Sequence, residues 1–377
     1  MHPTLSDINK LEAAVAEGWG LPVASYSDLD WFGREQAAIF DKSWYYIGMV
    51  QNLRAPGDVI LGHAGRVPVI VARDHRNGEL HAMSNVCRHR GHPVCLAPGN
   101  HRTLACPYHG WTYELDGRLR GAPGSEGEAD FDKAAFGLRK LRLETWGPMI
   151  FVSPDQDALP LAEHFPEFPA IAADRDFDLD PDAYSFHRRY ESTARANWKI
   201  WYDNTLECFH CPHVHGASFN DAYAVDPDDY ECLIRDRVVS YYFPPKPQRA
   251  ANQLQVTWNK HLHLYPGFFA TQQDDIMLVH QMRVIDADTT YIFWDILAEK
   301  GADPARVEAW CKIWEDTLIE DKQAVQAVHA NLNEVTFTAN RYMRTREPVP
   351  QNINKWTLEA LRGGGAGAVR TGFADVL

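Results

Sequence analysis

CRHRGHPVC at residues 87–95 and CPYHGWTYELDGRL at residues 106–119 are the two runs on which the reading of this chain turns. They hold Cys87-x-His89, a gap of sixteen residues, then Cys106-x-x-His109. Each half sets a thiol and an imidazole in one tight loop, so the two loops can pinch a metal between them. From Cys87 to Gly124 the chain is loop-rich, punctuated by Pro93, Pro98, Gly99, Pro107 and Gly110. A short hairpin reads Trp111–Leu115, turn Asp116-Gly117, Arg118-Leu119. Strand-like pieces precede the loops at 58–61, 67–72 and, after the turn Asn77-Gly78, 80–86. Others follow at 141–145 and 149–152. Residues 43–158 therefore read as a small all-β domain with metal-ligand loops at one end. Upstream, residues 1–42 are expected to form an N-terminal helical segment on the larger domain. A helix is predicted over Ser25–Ile47, with Ser27 or Asp28 as its N-cap.

Downstream, a Pro-, Ala- and Asp-rich stretch at 154–182 marks a boundary, and 159–377 is the second domain. A strand is predicted over Tyr184–Ala194, leading into NWKIWYDNTLECFHCPHVH at 197–215. On a helical wheel Ile200, Asp203, Glu207 and His210 share one face, while Trp198, Tyr202, Leu206 and Phe209 make an apolar side. Two carboxylates and an imidazole on one face, followed by His213 and His215, suit either metal ligation or an ordinary solvated face. Further strands are predicted at Leu254–Trp258, His261–Leu264, Ile276–Ile285 and Thr290–Leu297, the last two joined by Asp286-Ala-Asp288. Asp303-Pro304 starts a long helix. The tail after Arg346 is poorly patterned, and the Gly363–Gly367 cluster reads as a flexible end.

The chain has 377 residues, 23% charged and 45% hydrophobic, with a net charge of −14. That balance argues against general affinity for nucleic acid or anionic membranes. No apolar run is long enough to cross a bilayer, and the N-terminus has no secretory pattern. The seven cysteines are an odd set, four of them in the company of histidine. This favours metal ligation in a reducing compartment over a disulfide framework, with the cytoplasm as the expected location.

Three readings compete for the paired Cys/His loops. They could be unrelated core cysteines and surface histidines, a structural Cys2His2 zinc site, or a Rieske [2Fe-2S] centre with two histidines on one iron. CRHRGHPVC and CPYHGWTYELDGRL resemble the cluster-binding loops of Rieske-type ring-hydroxylating oxygenases, in their large (alpha) subunit. The resemblance implies an α+β protein: a small all-β Rieske domain plus a larger helix-grip catalytic domain, an antiparallel sheet with a long C-terminal helix. It implies that Cys87 and Cys106 hold one iron and His89 and His109 the other. His92 and Cys95 remain loop residues. In the same family a mononuclear Fe(II) is held by two histidines and a carboxylate. The stretch from Asn197 matches that pattern, giving His210 and His215 as ligands, Glu207 on the bridging position, and Asp203-Asn204 as the acidic-Asn pair. On an ideal helix His213 would partner His210 better, but Pro212 predicts a break near Cys211, past which His215 is free to reach the metal. For the carboxylate, Val307, Trp310, Trp314, Leu318, Val325, Val328 and Leu332 form an apolar stripe with Asp321 inside it. A lone acid there needs a metal or an arginine partner. Glu315, Asp316 and Glu320 read as solvated. The family's late Glu-Asp pair matches Glu320-Asp321, with the aspartate as ligand.

Such a protein is expected to be the terminal oxygenase of a multicomponent system. It would use O2 as co-substrate and take NAD(P)H electrons only through a separate reductase, with or without a ferredoxin. A homotrimer or a multiple of it is implied, because in the family the cluster of one subunit serves the iron of the next, with Glu207 as bridge. The string ECFHC looks closest to the branch acting on carnitine, choline, glycine betaine and stachydrine. That favours monooxygenation ending in N- or O-dealkylation of a small-molecule substrate over cis-dihydroxylation of an aromatic ring. Trp201, Tyr202, Phe209, Phe219 and Tyr223 are the candidate aromatic cage. An electron carrier with only the Rieske centre functional is the remaining alternative.

Overall fold

A computed structural model describes residues 5–216, 218–246, 256–332, 334 and 336–363. They divide into two compact units, Asp41–His164 with Asp178–Ser185, and Met1–Phe40 with Phe165–Phe177 and Phe186–Leu377. Among the described residues no helix is long and apolar enough to cross a membrane.

The first unit is all-β apart from short helical turns and is built from three small sheets. Its centre is the strand Val67–Arg73, in which Val69, Ile70, Val71 and Ala72 are all buried. Alternation explains why both faces are apolar. Ile70 and Ala72 join the core that holds Cys87, Cys106, Trp111 and Tyr113. Val69 and Val71 face a second core with Tyr45, Ile47, Ile150 and Val152. The predicted helix Ser25–Ile47 is shorter than expected. Asp28 caps it, its carboxylate accepting from the Trp31 N–H at 2.7 Å, and the helix runs only Leu29–Ala38. The aromatic and β-branched run that follows is better suited to a pleat, so Tyr45–Met49 pairs with Met149–Ser153 as a strand.

In the second unit a seven-stranded sheet carries the site. Its strands are β1 (Tyr184–Ala194), β2 (Glu231–Arg235), β3 (Val238–Phe243), β4 (Asn259–Leu264), β5 (Phe268–Gln273), β6 (Ile276–Asp286) and β7 (Thr289–Glu299), in the order β1-β7-β6-β5-β4-β3-β2. Strands β2 to β7 pair antiparallel with their sequence neighbours. The β2–β3 hairpin escapes a sequence reading because its turn is Asp236-Arg237, both at positive φ, with no Asn-Gly signal. Of the strand expected at Leu254–Trp258, Leu254 and Gln255 lie outside the described residues, and 256–258 are not strand.

The longer helices after the first strand of this unit are α1 (Trp198–Thr205), α2 (Pro304–Ala330) and α3 (Pro348–Gly363). Asp303 caps α2, accepting from the Ala305 N–H at 2.9 Å, and Pro304 fills the first turn, where no N–H is needed. Val307, Trp310, Trp314, Leu318 and Val325 are its buried stripe. Val328 is exposed, and Leu332 lies beyond the helix end. Helix α3 corrects the expectation of a poorly patterned tail. Val349, Ile353, Trp356 and Leu361 are buried at helical spacing, and Pro348 and Pro350 sit harmlessly in the first turn. Leu358 and Leu361 pack with Leu11, Val15 and Trp31 of the N-terminal segment. The Gly363–Gly367 cluster beyond Gly363 lies outside the described residues.

The Asn-Trp-Lys start of α1 is a clamp. Asn197 caps the helix through the Lys199 N–H at 3.0 Å and donates to the carbonyls of Tyr26 and Ala287. Lys199 pairs with Glu35 at 2.8 Å, and the indole N–H groups of Trp31 and Trp198 complete that carboxylate. Both charges are buried and fully paired.

Candidate metal centres

The two Cys/His loops fold alike. In each, a glycine N–H four residues on closes a turn onto the cysteine carbonyl, Gly91 to Cys87 and Gly110 to Cys106, both at 3.0 Å. Both glycines have positive φ, 79° and 71°, which a side chain would strain. The cysteines are buried and the histidines exposed. The His89 and His109 rings meet edge to face at 4.7 Å, and His89 stacks on Trp111 at 5.0 Å. The Tyr113 hydroxyl lies 3.3 Å from the Cys87 sulfur and accepts from the Arg88 N–H. Burial pushes the Cys106 thiol up. Two adjacent sulfurs beneath two imidazoles make a donor set that fits a [2Fe-2S] cluster of Rieske type. His92 bonds the Pro93 carbonyl and Cys95 the Ala97 carbonyl.

The second centre is assembled from α1, the loop after it, and α2. Helix α1 ends at Thr205, earlier than the wheel assumes, so Glu207 and His210 lie past its end. Pro212 starts a new short helix, Cys211–Val214, in place of breaking an old one. That turn leaves His213 exposed and buries His215. The Nε2 atoms of His210 and His215 are 3.2 Å apart, and the Asp321 Oδ1 is 3.3 Å from the first and 3.0 Å from the second. Asn204 donates to the same oxygen at 2.8 Å. The outward nitrogens are held by carboxylates: His210 Nδ1 by Glu207 at 2.5 Å, His215 Nδ1 by Glu320 at 2.8 Å. Glu207 also accepts from the backbone N–H groups of Phe209 and His210. Burial works against an imidazolium here, but Asp321 and Glu207 outweigh it and push His210 up to about 10. Burial also works against the Asp321 carboxylate, yet the two histidines hold it well below its usual range. Three donor atoms facing one point, oriented from behind, fit a single divalent cation of the two-histidine, one-carboxylate type.

Glu320 is half-buried and engaged, where its place off the apolar stripe suggests a solvated side chain; it also accepts from the Ser218 hydroxyl at 2.6 Å. Glu320→Gln is expected to weaken iron binding at this centre about 10- to 100-fold. Chelator competition measures that, with cluster absorbance unchanged as the control.

Asp203 is turned away from the donors. Its Oδ2 accepts from the Tyr342 hydroxyl at 2.6 Å, and Oδ1 is buried with no partner among the described residues. Burial pushes its carboxyl up to about 8. Because folding raises this pKa above its unfolded value of about 4, its contribution to stability is full below about pH 4. The contribution is lost as pH climbs to about 8. Asp203→Asn should flatten this part of the stability profile, so its melting temperature relative to the parent rises from pH 6 to 8.

A partly open chamber lies beside the donors. Phe219, Tyr241, Phe243, Phe269, Trp294 and Trp314 line it, largely from the sheet. Of the expected cage only Trp201 and Phe219 line it. Tyr202 bonds the Leu264 carbonyl, Tyr223 bonds Gln273, and Phe209 is exposed. Cys208 and Cys211 are joined as a disulfide, where the cysteine pattern favours metal ligation over a disulfide framework. A further group, His187 with Glu308 and Cys311, is compromised by Arg188, which takes both Glu308 oxygens at 2.9 and 3.0 Å.

Comparison with known proteins finds a domain family for each part of the chain. Residues 43–139 match the Rieske [2Fe-2S] domain, and residues 181–363 match the catalytic domain of the ring-hydroxylating alpha subunit. The chain belongs to the Rieske-type ring-hydroxylating oxygenases. It is similar to the glycine betaine monooxygenase oxygenase subunit of Chromohalobacter salexigens, 37% identical over 87% of this chain and 82% of that protein. The subunit of the same name from Pseudomonas aeruginosa is 38% identical over 52% of this chain, a match that spans only 45% of the relative's length. In fold it resembles the quaternary ammonium Rieske monooxygenase CntA, with a TM-score of 0.81 at 23% identity, covering 93% of this chain and 98% of that one.

Proposed function

We propose that this chain is the terminal oxygenase of a multicomponent system. It takes electrons from a separate NAD(P)H-dependent reductase and uses O2 to hydroxylate a small quaternary ammonium compound next to nitrogen, releasing an N-substituent. The observation that carries this is the convergence of His210, His215 and Asp321 at an aromatic chamber, from segments over a hundred residues apart.

In this reading Cys87, His89, Cys106 and His109 hold the cluster, and His210, His215 and Asp321 hold the mononuclear iron. When bound, the cluster passes single electrons and the iron offers open positions for O2 activation. Glu207 and Glu320 fix the imidazole tautomers, keeping each Nε2 turned to the metal point. Asn204 orients Asp321 through its oxygen. The aromatic faces suit a cation that cannot donate hydrogen bonds. Among the described residues no lysine or arginine lines the chamber to repel it.

The exposure of His89 and His109 supports a hand-off to another surface. The proposal is that Glu207 is the bridge within a trimer, its carboxylate accepting hydrogen bonds from His210 on one side and from a cluster histidine of a neighbouring copy on the other. Glu207→Gln, assayed with iron in excess so that the mononuclear site stays filled, is then expected to keep a reducible cluster while lowering product formation by about 100-fold.

The test is a single turnover of reduced holoprotein with 18O2 and a panel of quaternary ammonium and aromatic compounds. A dealkylated amine with an aldehyde is expected. A cis-diol carrying both labelled atoms overturns dealkylation, and a cluster that is reoxidised with no product from any compound leaves an electron carrier.

A further inference from the structure

Strand β4 puts His261 and His263 two residues apart on one face, and both line the chamber. His263 is 1% exposed and His261 9%. The His261 Nε2 and both ring nitrogens of His263 are buried and meet no hydrogen-bond partner among the described residues. Their surroundings are rings. His261 has Phe243 at 5.1 Å, Phe219 at 5.9 Å and Trp314 at 6.0 Å, and His263 has Phe269 at 4.9 Å and Tyr241 at 5.9 Å. Buried polar groups in folded proteins are nearly always paired, so three unpaired nitrogens on a chamber wall call for a partner that arrives with the ligand.

We propose that His261 and His263 are specificity-determining residues: they hold a carboxylate on the substrate and so fix which end of it meets the metal donors. This rests on the oxygenase reading above and narrows its substrate to a quaternary ammonium that also bears a carboxylate. The two ends of the chamber differ. The metal donors lie at one of them, where the carbon attached to nitrogen must sit. The two imidazoles supply the hydrogen-bond donors on the wall formed by β4. Two donors on one strand face suit a group with two acceptor oxygens better than a hydroxyl, which offers one atom. Burial holds His261 down to about 3 and His263 well below its usual range. Both therefore enter binding as neutral imidazoles, each with an N–H to give.

The test is calorimetric binding to the holoprotein, which needs no turnover, using glycine betaine (carboxylate), choline (hydroxyl) and tetramethylammonium (neither). The parent should bind glycine betaine at least about 10-fold tighter than tetramethylammonium, with choline between. His263→Phe should weaken glycine betaine about 10- to 100-fold and leave tetramethylammonium unchanged. His263→Gln, which keeps an N–H donor, should restore most of the loss. Removing an unpaired buried polar group should leave the melting temperature of His263→Phe equal to the parent's or above it. Equal affinity of the parent for all three compounds, or unchanged glycine betaine binding in His263→Phe and His261→Phe, overturns the assignment. Selective binding without dealkylated product would instead overturn the oxygenase reading and leave the anchor standing.

Discussion

Asp321→Ala is expected to lower iron from about three to about two per chain and to bring product formation to background, with the Rieske absorbance and EPR signal intact. The argument is local. Asp321 gives one oxygen to both histidine Nε2 atoms and to the Asn204 amide. No other carboxylate replaces it, because Glu207 and Glu320 are committed to the outward nitrogens. Without Asp321 two imidazoles face each other with no anion between them, and a divalent cation loses its charged ligand. The cluster loops lie in the other unit and should load as before. Iron analysis and EPR on one sample measure both halves, and three retained irons would remove Asp321 from the ligand set.

Glu35→Ala is the largest expected effect on stability, about 3–5 kcal/mol, with a fall in melting temperature of roughly 10 °C. Lys199 and Glu35 have side chains 2% and 0% exposed, 2.8 Å apart. The mutation leaves a buried ammonium and two indole N–H groups without their acceptor. Replacing both members, Glu35→Ala with Lys199→Met, should recover a large part of the loss, since the pair was favourable mainly against the broken pair. Urea unfolding of the two variants measures this. A double variant no more stable than Glu35→Ala would show that packing, not charge, holds the contact.

How much of this could be read in advance depended on whether the signal was local. The Cys/His loops were legible because each cysteine and histidine pair sits within one turn. Asp321 was legible because a single acid interrupts an apolar stripe. Glu320, its neighbour, was not. Its partners His215 and Ser218 come from a distant segment, and nothing in the helix pattern shows that approach. The wheel drawn from Asn197 failed at its end because Leu206 leaves the helix, so Glu207 and His210 are placed by loop contacts and not by periodicity. His261 and His263 alternate with Leu262 and Leu264 on a strand buried on both sides. Alternation there marks a strand but cannot say which face opens on a chamber. Helix α3 falls in the stretch read as poorly patterned, although Val349, Ile353, Trp356 and Leu361 keep helical spacing and its prolines lie in the first turn.

The separation of the donors along the chain sets an order for maturation. The cluster loops are complete once residue 119 has been made, and the core beneath them uses only strands of the same unit. The mononuclear donors lie on either side of strands β2 to β7, and the last is Asp321. As the chain leaves the ribosome, the first centre can fold and be filled while the second does not yet exist. The second site can therefore be filled only after Asp321 has been made, and a chain truncated before α2 is expected to be coloured still by its cluster.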